Sequence, residues 1–189
     1  FKGKFDFIKD GYAMDFIIKS NDSNLKDVFT AFPPKYISWL NKTEIKGKTD
    51  FILTLKGNYI ESKKIAPDLS LDLKIRDGFI DYEKSGFPIS NLNLEMKTSL
   101  PSLNPELLIV DTKSISLNIN QDYLKAKLFV KGMNVPEIDA TFQSNIDLEK
   151  LNKALGVTNF EVKGKLAGEG NLKGKYDPKN KILPITNAN

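Results

Sequence analysis

The sequence predicts an all-β protein with two short helices, built as an antiparallel, strongly curved β-sheet that forms a groove or half-barrel. Three observations carry the all-β, antiparallel part of this expectation; the choice of a groove rests on a resemblance given below. First, apolar and polar residues alternate: Leu69, Leu71, Leu73 and Ile75 interleave with Asp68, Ser70, Asp72, Lys74 and Arg76, the period of a strand with one face in oil and one in water. Second, turn residues recur about every ten to twenty positions, which suits a meander and excludes strands alternating with long helices. Third, Glu44-Ile45-Lys46-Gly47-Lys48 and the later Leu55-Lys56-Gly57-Asn58-Tyr59 return at one constant offset as Glu161-Val162-Lys163-Gly164-Lys165 and Leu172-Lys173-Gly174-Lys175-Tyr176. That is an internal repeat.

In chain order, Phe5 and Phe7 precede Asp10-Gly11, and Tyr12, Met14 and Phe16 follow. Asp-Gly is a two-residue hairpin turn, so Lys9 is expected opposite Tyr12, Phe7 opposite Met14 and Phe5 opposite Phe16. Ser23 is placed to cap a short helix whose Leu25, Val28, Phe29 and Phe32 fall on one stripe. Pro33-Pro34 ends it, and Tyr36, Ile37, Trp39 and Leu40 make a second apolar turn before the first repeat strand. There Thr49, Phe51, Leu53, Leu55, Gly57 and Tyr59 share a face. Asp77-Gly78 is read as the turn from the Leu69–Ile75 strand into Phe79-Ile80-Asp81-Tyr82. Further strands carry Leu92, Leu94 and Met96, and then Ile115, Leu117 and Ile119.

From Leu124 the opening theme comes back. Leu124, Ala126, Leu128 and Val130 pair with Ile138, Ala140 and Phe142; Asp147 caps a helix bearing Leu148, Leu151 and Leu155; Gly156 ends it. In the second repeat strand Phe160, Val162, Leu166, Leu172 and Tyr176 share a face with Gly164, Gly168, Gly170 and Gly174, where a sheet either bends or lets something lie against it. The reading is one domain over 1–176, with the repeat at 1–60 and 121–176, a meander at 65–120 between, and a frayed exit at 177–189.

Composition narrows the function. The chain has 189 residues, is 40% hydrophobic and carries a net charge of +4, with no cysteine and no histidine. It suffices for one core or one wide sheet. It opens inside a strand with no initiator methionine, signal peptide or apolar membrane span, and is read as a piece of something longer. Without histidine the commonest general base and zinc ligand are missing. Arg76 is the only arginine, and lysines alternating along strands describe a solvated sheet face, so nucleic acid is not an expected partner.

No constellation points to catalysis, metal or cofactor. Ser23-Asn24-Leu25-Lys26 fits the S-x-x-K pattern of some acyl-transferring hydrolases, but two fixed positions in four arise by chance. Asp68 with Asp72, and Asp139 with Asp147, are carboxylate pairs with nothing to bury them. No calcium loop, phosphate loop or dinucleotide fingerprint is present. Asn21-Asp22-Ser23 and Asn41-Lys42-Thr43 are glycosylation sequons, relevant only in a eukaryotic secretory pathway.

What the sequence has is a surplus of apolar strand face over helix to cover it. Either the sheet folds into a closed sandwich or barrel, which periodicity alone favours, or it curves into a trough whose lining remains available to an apolar ligand.

The order of segments bears on that choice. Leu25 to Phe32, Pro33-Pro34-Lys35-Tyr36, Ile45-Lys46-Gly47 through Tyr59, then Leu71-Asp72-Leu73-Lys74-Ile75-Arg76-Asp77-Gly78-Phe79-Ile80-Asp81-Tyr82, Phe87-Pro88 and Ile89-Ser90-Asn91-Leu92-Asn93-Leu94 resemble the AsmA family of bacterial envelope proteins. The likeness covers most of the chain and is one of strand pattern, with no catalytic signature. It implies a periplasmic protein held at the inner membrane by an N-terminal helix outside this chain. It also implies a long β-groove, related to bridge-like lipid-transfer proteins, that supports phospholipid movement to the outer membrane and that membrane's integrity.

The expected function is therefore non-catalytic binding of a phospholipid or other acyl-chain lipid. The expected lining is Leu53, Leu55, Leu69, Leu71, Leu73, Ile75, Leu92, Leu94, Met96, Ile115, Leu117 and Ile119. The alternative is an envelope scaffold with a closed sandwich core, no lipid, and protein partners docked on edge strands. A glycan-binding sandwich would rest on Trp39 and Tyr36 alone.

Overall fold

A computed structural model describes residues 1–30, 42–154, 163–176 and 185–188. Ten strands form one sheet in strict sequence order: β1 (Lys2–Ile8), β2 (Gly11–Asn24), β3 (Thr43–Tyr59), β4 (Asp68–Tyr82), β5 (Ile89–Leu100), β6 (Ile109–Ile119), β7 (Asp122–Lys131), β8 (Glu137–Asp147), β9 (Lys165–Lys175) and β10 (Ile185–Ala188). Every pairing is antiparallel, and β1 does not meet β10, so the sheet stays open. Helix α1 (Leu25–Thr30) follows β2, and helix α2 (Leu148–Ala154) follows β8. The all-β class is what the alternation predicts, and the open sheet agrees with the groove and not with the closed sandwich that periodicity alone favours. The sandwich is not formed: among the described residues each strand lies beside the previous one in a single sheet.

Asp147 caps α2 as expected, its Oδ1 accepting from the backbone N–H groups of Glu149 at 2.9 Å and Lys150 at 3.2 Å. Ser23 does not cap α1. It continues β2 opposite Thr49 and pairs its hydroxyl with that of Ser20, while Asn24 Nδ2 reaches Asp27 Oδ2 at 3.1 Å. Phe32 and the turn from Pro33 to Leu40 lie outside the described residues, as do Leu155, Gly156, Phe160 and Val162.

Both Asp-Gly dipeptides act differently from the sequence reading. The first hairpin turns one residue earlier: Ile8 faces Gly11, Phe7 faces Tyr12 and Phe5 faces Met14. Asp10 takes the left-handed conformation at φ 68°, and a Cβ on Gly11 would sit 2.0 Å from the Tyr59 carbonyl oxygen. That glycine is there so β3 can come close. Asp77-Gly78 is no turn either but a bulge inside β4, where the pairing shifts between Lys46–Phe79 and Lys48–Arg76. A Cβ on Gly47 (φ 119°) would lie 2.8 Å from Gly78 Cα, and one on Gly78 would press on Leu92. Within the stretch expected to fray, Ile185–Ala188 pairs with β9.

The core gathers at one end of the strands. Ile45, Ile80, Ile89 and Ile119 form a row across β3 to β6. Leu25, Ile75, Leu92, Leu117, Ile146 and Ala154 join it, with Phe29, Leu148, Leu151 and Leu166 packed around. α2 touches both β4 and β6. In a flat sheet β4 would lie about 19 Å from β8, at about 4.8 Å per strand. A seven-residue helix leaving β8 reaches it because the sheet curls toward this face.

Candidate functional site: an open apolar trough

Beyond the sealed end, the same face of the sheet runs on as a trough. Alternation places every second residue on it, and the antiparallel register lines these residues up in rows. One row reads Ile18, Leu53, Leu71, Thr98, Val110, Val130, Ile138 and Gly174 from β2 to β9. The next reads Ser20, Phe51, Leu73, Met96, Thr112, Leu128, Ala140 and Leu172. A third, nearer the core, reads Thr49, Ile75, Leu94, Ile115, Ala126, Phe142 and Gly170. No charged side chain interrupts any of the three. The rows carry no carboxylate, amine or imidazole, and their polar side chains are the hydroxyls of Ser20, Thr49, Thr98 and Thr112.

The opposite face is a lattice of ion pairs. Lys56 meets Asp15 at 3.2 Å, Lys97 meets Asp72 at 3.2 Å and Lys173 meets Asp139 at 3.0 Å, each pair spanning two neighbouring strands. Arg76 on β4 binds Asp50 on β3 and, at 3.1 Å, Asp22 on β2. The Arg76 guanidinium bonded to Asp50, with help from the Asp22 backbone N–H at 2.7 Å, holds the Asp50 carboxyl down at about 2. These contacts leave the charged face to water and the apolar face as the only one lacking a polar partner for its surface. A hollow of about 770 Å³ lies along β6 to β9, lined by Ile115, Ala126, Phe142 and Gly170 of the third row together with their polar neighbours, among them Lys125, Lys127, Gln143 and Glu169.

The twelve residues expected to line the trough separate into three groups. Ile75, Leu92, Leu117 and Ile119 are buried in the packed core at the helical end, Ile119 completely, and Ile75 marks where the third row runs into that core. Leu73 and Leu94 are half-buried against that core. Leu53, Leu55, Leu69, Leu71, Met96 and Ile115 are half-buried along the trough itself. The register adds Leu128, Val130, Ile138, Phe142 and Leu172, which sequence reasoning placed in strands without assigning them to a lining, and Val110, which it did not place. Their alternation was the available signal; knowing that β7 to β9 share a face with β4 needed the pairing.

Glycines leave the apolar face of β9 without side chains at three places, Gly168 opposite Ser144, Gly170 opposite Phe142 and Gly174 opposite Ile138; a Cβ on Gly168 would meet nothing within 4 Å.

Among the described residues no helix is long and apolar enough to cross a membrane, and no cluster of acidic side chains could hold a metal ion. No family model, curated protein or solved structure matches this chain.

Proposed function

We propose that this chain is a non-catalytic, lipid-binding segment of an AsmA-like envelope protein, whose trough holds the acyl chains of phospholipid while the head groups stay in water. The observation that carries the reading is the unbroken run of uncharged rows on a sheet that neither closes nor acquires a second layer. Each methylene taken from water contributes about 0.8 kcal/mol, so even a partly sheltered tail is held without a polar contact, and head-group selectivity is not expected from such a lining. The periplasm, an inner-membrane anchor outside this chain and a part in phospholipid supply to the outer membrane belong to the same proposal and rest on the resemblance of strand order.

The test is extraction. The purified chain, treated with organic solvent, should release phospholipid close to stoichiometric with protein, and Leu71→Glu with Met96→Glu should lose most of it while the far-ultraviolet spectrum stays that of a β-sheet. Protein that carries no more lipid than the double variant would argue for the scaffold reading.

A further inference from the structure

We propose that the links joining the strands at the end away from the core form a rim that rests on a lipid bilayer, its apolar tips sunk among the head groups. The choice of a bilayer as partner rests on the lipid-binding reading of the trough. The links are 60–67 between β3 and β4, 101–108 between β5 and β6, and 132–136 between β7 and β8. They expose Ile65 (42%), Leu103 (40%), Leu107 (46%), Met133 (58%) and Val135 (40%). One exposed leucine means little. Five such tips on three neighbouring links form a patch, and the other end of the strands has no counterpart among the described residues. In the links there, 83–88 and 120–121, Phe87 is the one large apolar residue, and it packs against the core.

The tips are held in place. Asp68 Oδ1, at the foot of the first link, accepts the Ser102 backbone N–H of the second at 2.7 Å. The Gly132 N–H of the third link donates to the Leu108 carbonyl at 2.8 Å, and Asn134 Nδ2 donates to Glu106 Oε1. Leu103 is kept outside at a conformational cost: with Ser102 it lies in the left-handed region, at φ 46°, which a leucine seldom adopts. Strain of that kind persists only where the surroundings impose it, and it clusters where function needs a side chain in position. The chemistry suits a bilayer better than a protein. A stable protein contact takes about 20–30 residues a side, far more than five tips. The three links set Lys63 and Lys64 against Glu61 and Glu106, so they carry no net charge to select a charged partner. The apolar row next to them, Leu55, Leu69 and Leu100, belongs to the face that forms the trough, so the rim's apolar surface continues into it.

The chain has no cysteine, so a single introduced one carries a polarity-sensitive dye to a chosen place. Leu107→Cys and Met133→Cys mark the rim, and Lys84→Cys and Gln121→Cys, at exposed positions, mark the core end. With phosphatidylcholine vesicles the rim dyes should shift to shorter wavelength and the core-end dyes should not. Leu107→Asp with Met133→Asp should weaken vesicle binding at least about tenfold. Raising salt from about 0.1 M to about 0.5 M should leave native binding within about twofold. Rim dyes that stay in water, dyes at both ends that shift alike, a double variant that binds as the native chain does, or native binding lost with salt each overturn the proposal. All substitutions are at exposed link positions, and matching β-sheet spectra show that folding is not what the assay reads. The two readings fail separately: phospholipid extracted from the native chain scores the trough, and the dye shifts score the rim whether or not lipid is extracted.

Discussion

Ile119 and Leu71 lie on the same face of the same sheet, and their surroundings make them different. Ile119 is fully buried between Ile89 and the residues under α2, so its truncation removes transfer energy and also leaves a hole; Ile119→Ala should cost about 2–5 kcal/mol. Leu71 sits between Leu53 and Thr98, half-buried and, among the described residues, outside the core cluster, so Leu71→Ala should cost about 1–2 kcal/mol, a transfer loss with no enclosed cavity. Chemical denaturation of the two variants checks this, and equal losses would mean that the trough is packed shut. In the sequence these two residues look alike, since each is an apolar residue in a period-two strand. What separates core from lining is the placement of α2 over β4 and β6, a long-range fact that alternation does not encode. That is why Ile75, Leu92, Leu117 and Ile119 were legible as inward-facing and illegible as core.

At the level of elements, the bulges of β2 and β4 meet at one cluster. β2 shifts register between Ser20 and Ser23, β4 shifts beside Gly47, and Arg76 ties Asp50 and Asp22 together across the three strands. Asp50 is held at about 2 by Arg76, with the Asp22 backbone N–H second; its unfolded value is an ordinary carboxylate's, about 3.9. A lowered folded value adds stability that is present in full above about pH 4 and disappears as pH falls through about 2. A carbon-detected NMR titration of the Asp50 carboxyl should show that low midpoint, and Arg76→Gln should return it to the ordinary range. An Asp50 titrating near 4 in the native chain would remove the latch.

The strands themselves were legible because their alternation is nearly uninterrupted, and Asp147 was legible as a cap because it needs only local geometry. The two Asp-Gly pairs were misread for one reason: glycine signals a turn in sequence, yet Gly11 and Gly78 are glycines because neighbouring strands crowd their Cβ positions.

For the whole molecule, the two short helices of the described meander cover one end of its apolar face. The helices gather the row of Ile45, Ile80, Ile89 and Ile119 into a core, which anchors the curl, and the rows beyond it are left to whatever apolar partner the chain meets. Sequence showed the surplus of apolar face but not its disposition, because sandwich and trough share one pattern of alternation and differ only in whether a strand crosses to a second layer. The most direct measurement places a photo-crosslinking side chain, one position at a time, at Leu71 and Met96 in the trough and at Asp72 and Lys97, the ion pair on the opposite face of the same strands. Illuminated in cells, the first two positions should capture phospholipid and the second two should not. Capture at neither pair, or equally at both, would contradict a lipid-holding trough.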